Sequence, residues 1–148
     1  MKKVAGYVRV STQEQADEGY SISEQQDRLK KYCDAQGWTL VHVYTDPGYS
    51  GAKLDRPALQ QLLTDIPSGA FDTVLVFKLD RLSRSQKDTM YLLEDQFIKN
   101  NIDFCSIIYL CFRTRSFSLI NRTFLWSCCS FFLNISCFSH DFLSHAVT

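Results

Sequence analysis

The run Lys3-Val-Ala-Gly-Tyr-Val-Arg-Val10, closed by Ser11 and Thr12, decides the architecture of this chain. Val4 to Val10 is a β-branched stretch of strand length. Ser21-Ile-Ser-Glu24 follows as a capping-box pattern, and Ile22, Leu29, Tyr32 and Cys33 then fall on one helical face. Helix follows strand, and the alternation continues. Trp38 to Tyr44 reads as a second strand, and Pro47, Gly48 and Gly51 mark a loop. Leu59, Leu62, Leu63 and Ile66 have helical spacing, with Asp55 and Pro57 suited to that helix's first turn. Thr73 to Phe77 is a continuous apolar run, hence a buried strand. Ser85 with Asp88 opens a helix whose core face is Met90, Leu93 and Phe97, and Ile102 to Ile107 reads as a fourth strand. The order βαβαβαβ predicts an α/β fold of three αβα layers around a mostly parallel four-stranded sheet.

Composition bounds the function. The chain has 148 residues, with 16 Lys+Arg against 16 Asp+Glu, so bulk positive charge does not hold a nucleic acid. Contact with phosphate has to come from a few placed arginines. Six cysteines occur, but Met1-Lys-Lys3 leads into only a short apolar stretch interrupted by Arg9. The chain therefore reads as cytoplasmic, with reduced thiols. Its character changes near Ile107. Residues 107–148 hold only four of the 32 charged residues (Arg113, Arg115, Arg122 and Asp141) but seven of the eleven phenylalanines and four of the six cysteines. We therefore divide the chain into residues 1–107, a charged part of alternating strands and helices, and residues 108–148, an atypical Ser/Phe/Cys-rich tail.

In an open parallel sheet, ligands bind beyond the carboxyl ends of the strands. Three clusters sit there. Tyr7, Arg9 and Ser11 share one side of the first strand, because side chains alternate across it. Lys78, Asp80, Arg81 and Arg84 close the third strand; Lys78 and Asp80 share strand parity, and the two arginines are neighbours if the chain turns helical. Arg56 lies beside Asp55 at a helix start, where free N–H groups favour an anion. Guanidinium groups stay protonated and bind phosphate oxygens in a fork, so these residues suit phosphoryl transfer without a metal. Ordinary surface arginines in weak ion pairs with Asp46, Asp55 or Asp80 account for the same residues equally well. A strand-end serine is by itself more often a cap or a turn residue than a nucleophile.

Other chemistries have less support. His42 lies inside a strand and reads as a spectator, so a Ser-His-Asp triad lacks a placed base. There is no phosphate-binding glycine motif and no Cys-x-x-Cys pair. Asp46, Asp72 and Asp80 are the only candidate carboxylate set for a two-metal nuclease, and the basic residues around Asp80 disfavour it. No metal and no cofactor is implied.

Gly6-Tyr-Val-Arg-Val-Ser-Thr12, Asp46-Pro-Gly-Tyr-Ser-Gly51, Asp55-Arg-Pro57 and Lys78-Leu-Asp-Arg-Leu-Ser-Arg84 together resemble the serine site-specific recombinases, the resolvase and invertase superfamily. Asp17-Glu-Gly-Tyr-Ser-Ile-Ser-Glu-Gln-Gln26 resembles its larger, integrase-like members. The resemblance covers residues 1 to about 107. It implies a DNA strand exchange enzyme in which Ser11 attacks the scissile phosphodiester and forms a 5′-phosphoserine link. It also implies that Arg9, Arg56, Arg81 and Arg84 cradle the phosphate, and that Asp80 orients arginines or shuttles a proton. Tyr7, Gln15, Gln25 and Lys78 would support them. The partner is DNA, and intact members act as homodimers or tetramers.

The resemblance stops where the composition changes. The family's last strand, its long basic dimerisation helix and its DNA-binding domain are not recognisable after Ile107. A premature junction such as a frameshift explains the abrupt loss of charge, and it implies a truncated, inactive form. A divergent helical tail is the alternative. A membrane anchor is disfavoured, because Thr123 to Phe138 carries Asn134 and falls short of the roughly 20 apolar residues that a span requires. A function of a different class also fits the residues: a non-catalytic, flavodoxin-like domain that only binds phosphate groups.

Overall fold

The structure is a computed structural model that describes residues 1–11 and 21–108, together with the backbone of residues 110–112. Four strands, β1 (Lys3–Val10), β2 (Thr39–Pro47), β3 (Thr73–Val76) and β4 (Asp103–Ser106), pair in parallel in the order β2-β1-β3-β4. This is the sheet that the sequence predicts. A short strand, β5 (Leu110–Phe112), extends it by pairing antiparallel with β4. The sequence itself predicts four strands, with the final strand missing or replaced. Three residues are too few for a periodic signal, and these lie past the compositional break. Gln15 and residues 113–148 lie outside the described residues.

Alternation along the strands builds two cores. Ala5 and Tyr7 of β1 and Val74 and Val76 of β3 pack on one face with Leu59, Leu62, Leu92, Phe97 and Phe104. Val4 and Val8 of β1 and Leu75 of β3 face the other side with Leu29, Cys33 and Cys105. That second face is covered by α1 (Ile22–Gln36). The first is covered by α2 (Pro57–Asp65), and by α4 (Gln86–Tyr91) with the helical turns that follow it. The result is three layers.

Local chemistry sets the helix ends. Ser21 caps α1 by accepting the Glu24 N–H at 3.2 Å, and Gly37 ends the helix in the left-handed region at φ 66°. Glu24 does not complete the reciprocal half of a capping box; its carboxylate pairs with Arg28 at 2.8 Å. Ser85 likewise accepts the Asp88 N–H at the start of α4. After Tyr91 that helix widens into a π-helical turn, Leu92–Phe97, and ends in a 3-10 turn, Ile98–Asn100. The wider turn brings Leu92 into the core beside Leu93 and Phe97, whereas Met90 is only partly buried.

β2 runs three residues beyond the predicted Tyr44, because Thr45, Asp46 and Pro47 lie opposite Val8, Arg9 and Val10. Its register shifts once, where Val4 faces Leu40 but Ala5 faces His42, so that Val41 is left over and exposed. After Phe77, a single helical turn, α3 (Leu79–Leu82), interrupts the Lys78–Arg84 run. Lys78 and Asp80 are therefore not related by strand parity. Cys33 is a free buried thiol, whereas Cys105 is disulfide-bonded, so the reading of every cysteine as reduced does not hold for Cys105. No helix among the described residues is long and apolar enough to cross a membrane.

Candidate active site

The carboxyl end of β1 presents Tyr7 and Arg9, both buried, and then Ser11, which is half-buried. Across the strand pair Arg9 lies opposite Asp46. Tyr7 donates its hydroxyl to Asp46 Oδ2 at 2.8 Å and accepts from Arg56 Nη1 at 2.8 Å. Burial pushes the Tyr7 hydroxyl above the ordinary tyrosine range; Arg56 opposes that shift and Asp46 adds to it.

Asp46 does more than accept that hydrogen bond. Its two oxygens accept the N–H groups of Ala58 and Leu59, at 2.9 and 3.0 Å, in the first turn of α2. The helix has Arg56 at its cap position, with no side-chain cap of its own. A carboxylate from the neighbouring strand thus supplies the missing cap. Asp55, which the sequence suggests for this end, is exposed. From sequence alone, Asp46 suggests only an ion-pair partner or a carboxylate for metal. Its position inside a six-residue motif was the available signal.

Arg56 is fully buried. Besides Tyr7, it donates to the carbonyls of Arg81, at 3.3 Å, and Leu82. Its guanidinium carbon lies 5.4 Å from the centre of the Tyr7 ring. Burial lowers its pKa, while Tyr7, Asp46 and Asp88 pull it back. The loop into α2 and the turn α3 are thereby joined through one side chain.

Arg9 and Arg81 hold each other. Arg9 Nε donates to the Arg81 carbonyl at 3.3 Å, and Arg81 Nη1 donates to the Arg9 carbonyl at 3.4 Å. Gln25 of α1 also donates to the Arg9 carbonyl, at 3.4 Å. Arg9 further donates to the carbonyls of Tyr49, at 2.8 Å, and Asp80, at 3.3 Å. Burial lowers the Arg9 pKa to about 10, with Arg81, Arg84 and Arg56 adding repulsion and Asp80 opposing it. Arg81 pairs with Asp80 Oδ2 at 2.6 Å, and the second oxygen, Oδ1, is buried without a hydrogen-bond partner. Arg84 is exposed and Lys78 half-buried.

The structure therefore brings Tyr7, Arg9, Arg56, Asp80 and Arg81 into one hydrogen-bonded cluster at the strand ends, with Gln25 beneath it. Arg84 belongs to the same charge cluster through its repulsion of Arg9. Surface ion pairing does not describe Arg9, Arg56 or Arg81, which are buried. His42 is exposed and stacks edge-on against Tyr44, outside the cluster. No group of three or more His, Cys, Asp or Glu side chains suited to a metal ion occurs among the described residues.

Comparison with known proteins gives a consistent result. The family model for the resolvase N-terminal domain matches residues 4–115, and so runs past the compositional break through β5. The N-terminal catalytic domain of TP901-1 integrase is 52% identical, superposes with a TM-score of 0.72, and is matched over 92% of this chain and 97% of that one. Uncharacterized immunity region protein 3 of Bacillus phage phi105 is 52% identical over 68 residues, 46% of this chain and 83% of that protein. A putative DNA recombinase of Bacillus subtilis (strain 168) is 40% identical over 99 residues, which are 67% of this chain but only 19% of that protein. With its resolvase-type sheet and an arginine cluster beyond the strand ends, the chain belongs to the resolvase family of serine site-specific recombinases, within its N-terminal catalytic domain.

Proposed function

We propose that this domain cleaves and rejoins DNA through Ser11. The Ser11 hydroxyl attacks the scissile phosphorus as its proton passes to a neighbouring base or to water. A serine–phosphorus bond forms, the bond from phosphorus to the 3′ oxygen breaks, and the 3′ oxygen leaves as a hydroxyl after taking up a proton. The energy of the phosphodiester stays in the 5′-phosphoserine link, and the reverse reaction rejoins a strand.

One observation carries this reading. Arg9, Arg56, Arg81 and Arg84 gather against Asp46, Asp80 and Asp88, so cationic groups outnumber carboxylates just past the strand that ends at Ser11. Such a cluster stabilises the charge that develops on a pentacoordinate phosphorus. Arg84, which is exposed, would meet phosphate oxygens directly, whereas Arg9 and Arg81, buried and bonded to carbonyls and to Asp80, would reach them by exchanging those bonds for bonds to phosphate. Arg56, whose terminal nitrogens already serve Tyr7 and two carbonyls, acts through its charge and by fixing the turn. Asp80 offers an unpartnered oxygen for proton transfer or for orienting Arg81. Tyr7, Gln15, Gln25 and Lys78 are supporting residues.

The partner is DNA, and the setting is a phage or other mobile element. Cytoplasmic action follows from that substrate. The family match ends at residue 115, and beyond it only Arg122 and Asp141 are charged. Residues 116–148 therefore offer little to grip a phosphate backbone or to pair subunits across a duplex.

The test uses random-sequence duplexes in which a 3′ sulfur replaces the leaving oxygen, so that cleavage releases a thiol that does not readily rejoin. A covalent adduct on denaturing gels that disappears in Ser11→Ala supports the proposal. An adduct that persists in Ser11→Ala places the nucleophile at another residue and overturns the proposal, and no adduct at any DNA concentration leaves instead a domain that binds phosphate groups without chemistry.

A further inference from the structure

We propose that Gly51, on the loop between β2 and α2, is a positioning residue for Arg9 and Arg84: its missing side chain leaves the slot these two occupy, and its carbonyl ties the turn that carries Arg84.

Close packing at Gly51 and four hydrogen bonds make the case. A Cβ on Gly51 would lie 3.0 Å from Arg84 Cγ, 3.1 Å from Arg9 Nη2 and 3.3 Å from Arg9 Cζ, so the two arginine side chains fill the space an alanine methyl would need. The Gly51 carbonyl accepts the Arg84 N–H at 3.0 Å and the buried Ser83 hydroxyl at 3.4 Å. Two residues earlier, the Tyr49 carbonyl accepts Arg9 Nη1 at 2.8 Å. At the start of the loop the Gly48 N–H donates to the Val10 carbonyl at 2.7 Å, immediately before Ser11. One short segment is thus fastened to the end of β1, to the Arg9 guanidinium and to the backbone of Arg84. It sets the spacing between the strand that leads to Ser11 and the turn that bears the other cations.

The inference rests on the proposed role of the arginine cluster, so its test includes a readout that does not need DNA chemistry. The full chain is labelled at arginine, and the side-chain Nε–H signals of Arg9, Arg84 and Arg56 are followed by NMR in the wild type, Gly51→Ala and Ser83→Ala. Gly51→Ala should move the Arg9 and Arg84 signals and leave Arg56 in place. Ser83→Ala removes one donor to the Gly51 carbonyl without adding bulk, and should move Arg84 more than Arg9. In the 3′-sulfur assay, Gly51→Ala should slow Ser11 adduct formation at saturating DNA about 10- to 100-fold, the scale set by sub-ångström to 1 Å displacements of positioned groups. The half-saturating DNA concentration should stay unchanged, while the melting temperature falls by the modest amount that crowding of this size costs.

Unmoved Arg9 and Arg84 signals in folded Gly51→Ala overturn the inference, as does a wild-type rate of adduct formation. If Gly51→Ala does not fold, Ser83→Ala decides in the same way through its Arg84 signal. Absence of any Ser11-dependent adduct in the wild type counts against the proposed chemistry, while the arginine signals still decide whether Gly51 sets the cluster.

Discussion

Tyr7 and Asp46 meet across the first two strands through a buried hydrogen bond of 2.8 Å, and the same carboxylate caps the helix that Arg56 introduces. Removing Asp46 therefore leaves a hydroxyl and two backbone N–H groups without an acceptor. We predict that Asp46→Ala lowers the unfolding free energy by about 3 kcal/mol, and that Tyr7→Phe, which keeps the ring under Arg56, costs about 1–2 kcal/mol. Urea unfolding of both variants checks the order; equal or negligible losses would show that the network contributes little.

The arginine cluster carries a repulsion that an anion relieves. Burial and three neighbouring guanidiniums disfavour the cationic form of Arg9 in the folded chain relative to the unfolded one. A ligand that binds only the folded state and supplies negative charge should raise stability. Inorganic phosphate should therefore raise the melting temperature more than sodium chloride does at equal ionic strength, with a smaller gain in Arg84→Ala. Thermal scans that treat the two salts alike would contradict this.

Gly6 sits under α1 with no room for a side chain. A Cβ there would be 3.0 Å from Leu29 Cδ1, 3.3 Å from Val43 Cγ2 and 3.4 Å from Leu40 Cδ1. Gly6→Ala should cost about 1–2 kcal/mol and Gly6→Val more, because the added groups push the helix away from the sheet. Denaturation midpoints report the series, and a stabilising Gly6→Val would refute the packing argument.

Cys33 gives a pH signature. Burial pushes its thiol up to about 11 from an ordinary 9.0, with Asp34 adding to the shift. An acid held neutral in the fold binds more protons there than in the unfolded chain between those two values. Stability is thus fully present below pH 9 and declines as the pH rises toward 11, by roughly 1–3 kcal/mol for a shift of this size. Cys33→Val should flatten that decline in urea titrations across this window; an unchanged slope would assign the decline to other groups.

The parallel sheet was legible because its strands are β-branched, separated by helical spacing and punctuated by Ser21, Pro57 and Ser85. These signals are local. What escaped depends on contacts between distant residues. Asp46 caps a helix that begins eleven positions later and binds a tyrosine on another strand, so nothing in its immediate neighbours marks it as buried. Arg56 looks like an exposed residue at a helix start, yet its terminal nitrogens are consumed by Tyr7 and by carbonyls of α3. The placement of Arg9 and Arg81 was legible only as proximity to strand ends. Their mutual hydrogen bonds depend on the turn at Leu79–Leu82, which a strand-like reading of Lys78 and Asp80 did not include.

The extra residue at Val41 governs what can lie along the outer margin of the sheet. Among the described residues β2 is the edge strand on that side, and a foreign strand hydrogen-bonding along it would meet one residue too many at Val41, which breaks the ladder there. The irregularity thus guards this border against templated stacking of further copies, and it does so without a charge or a proline at that position.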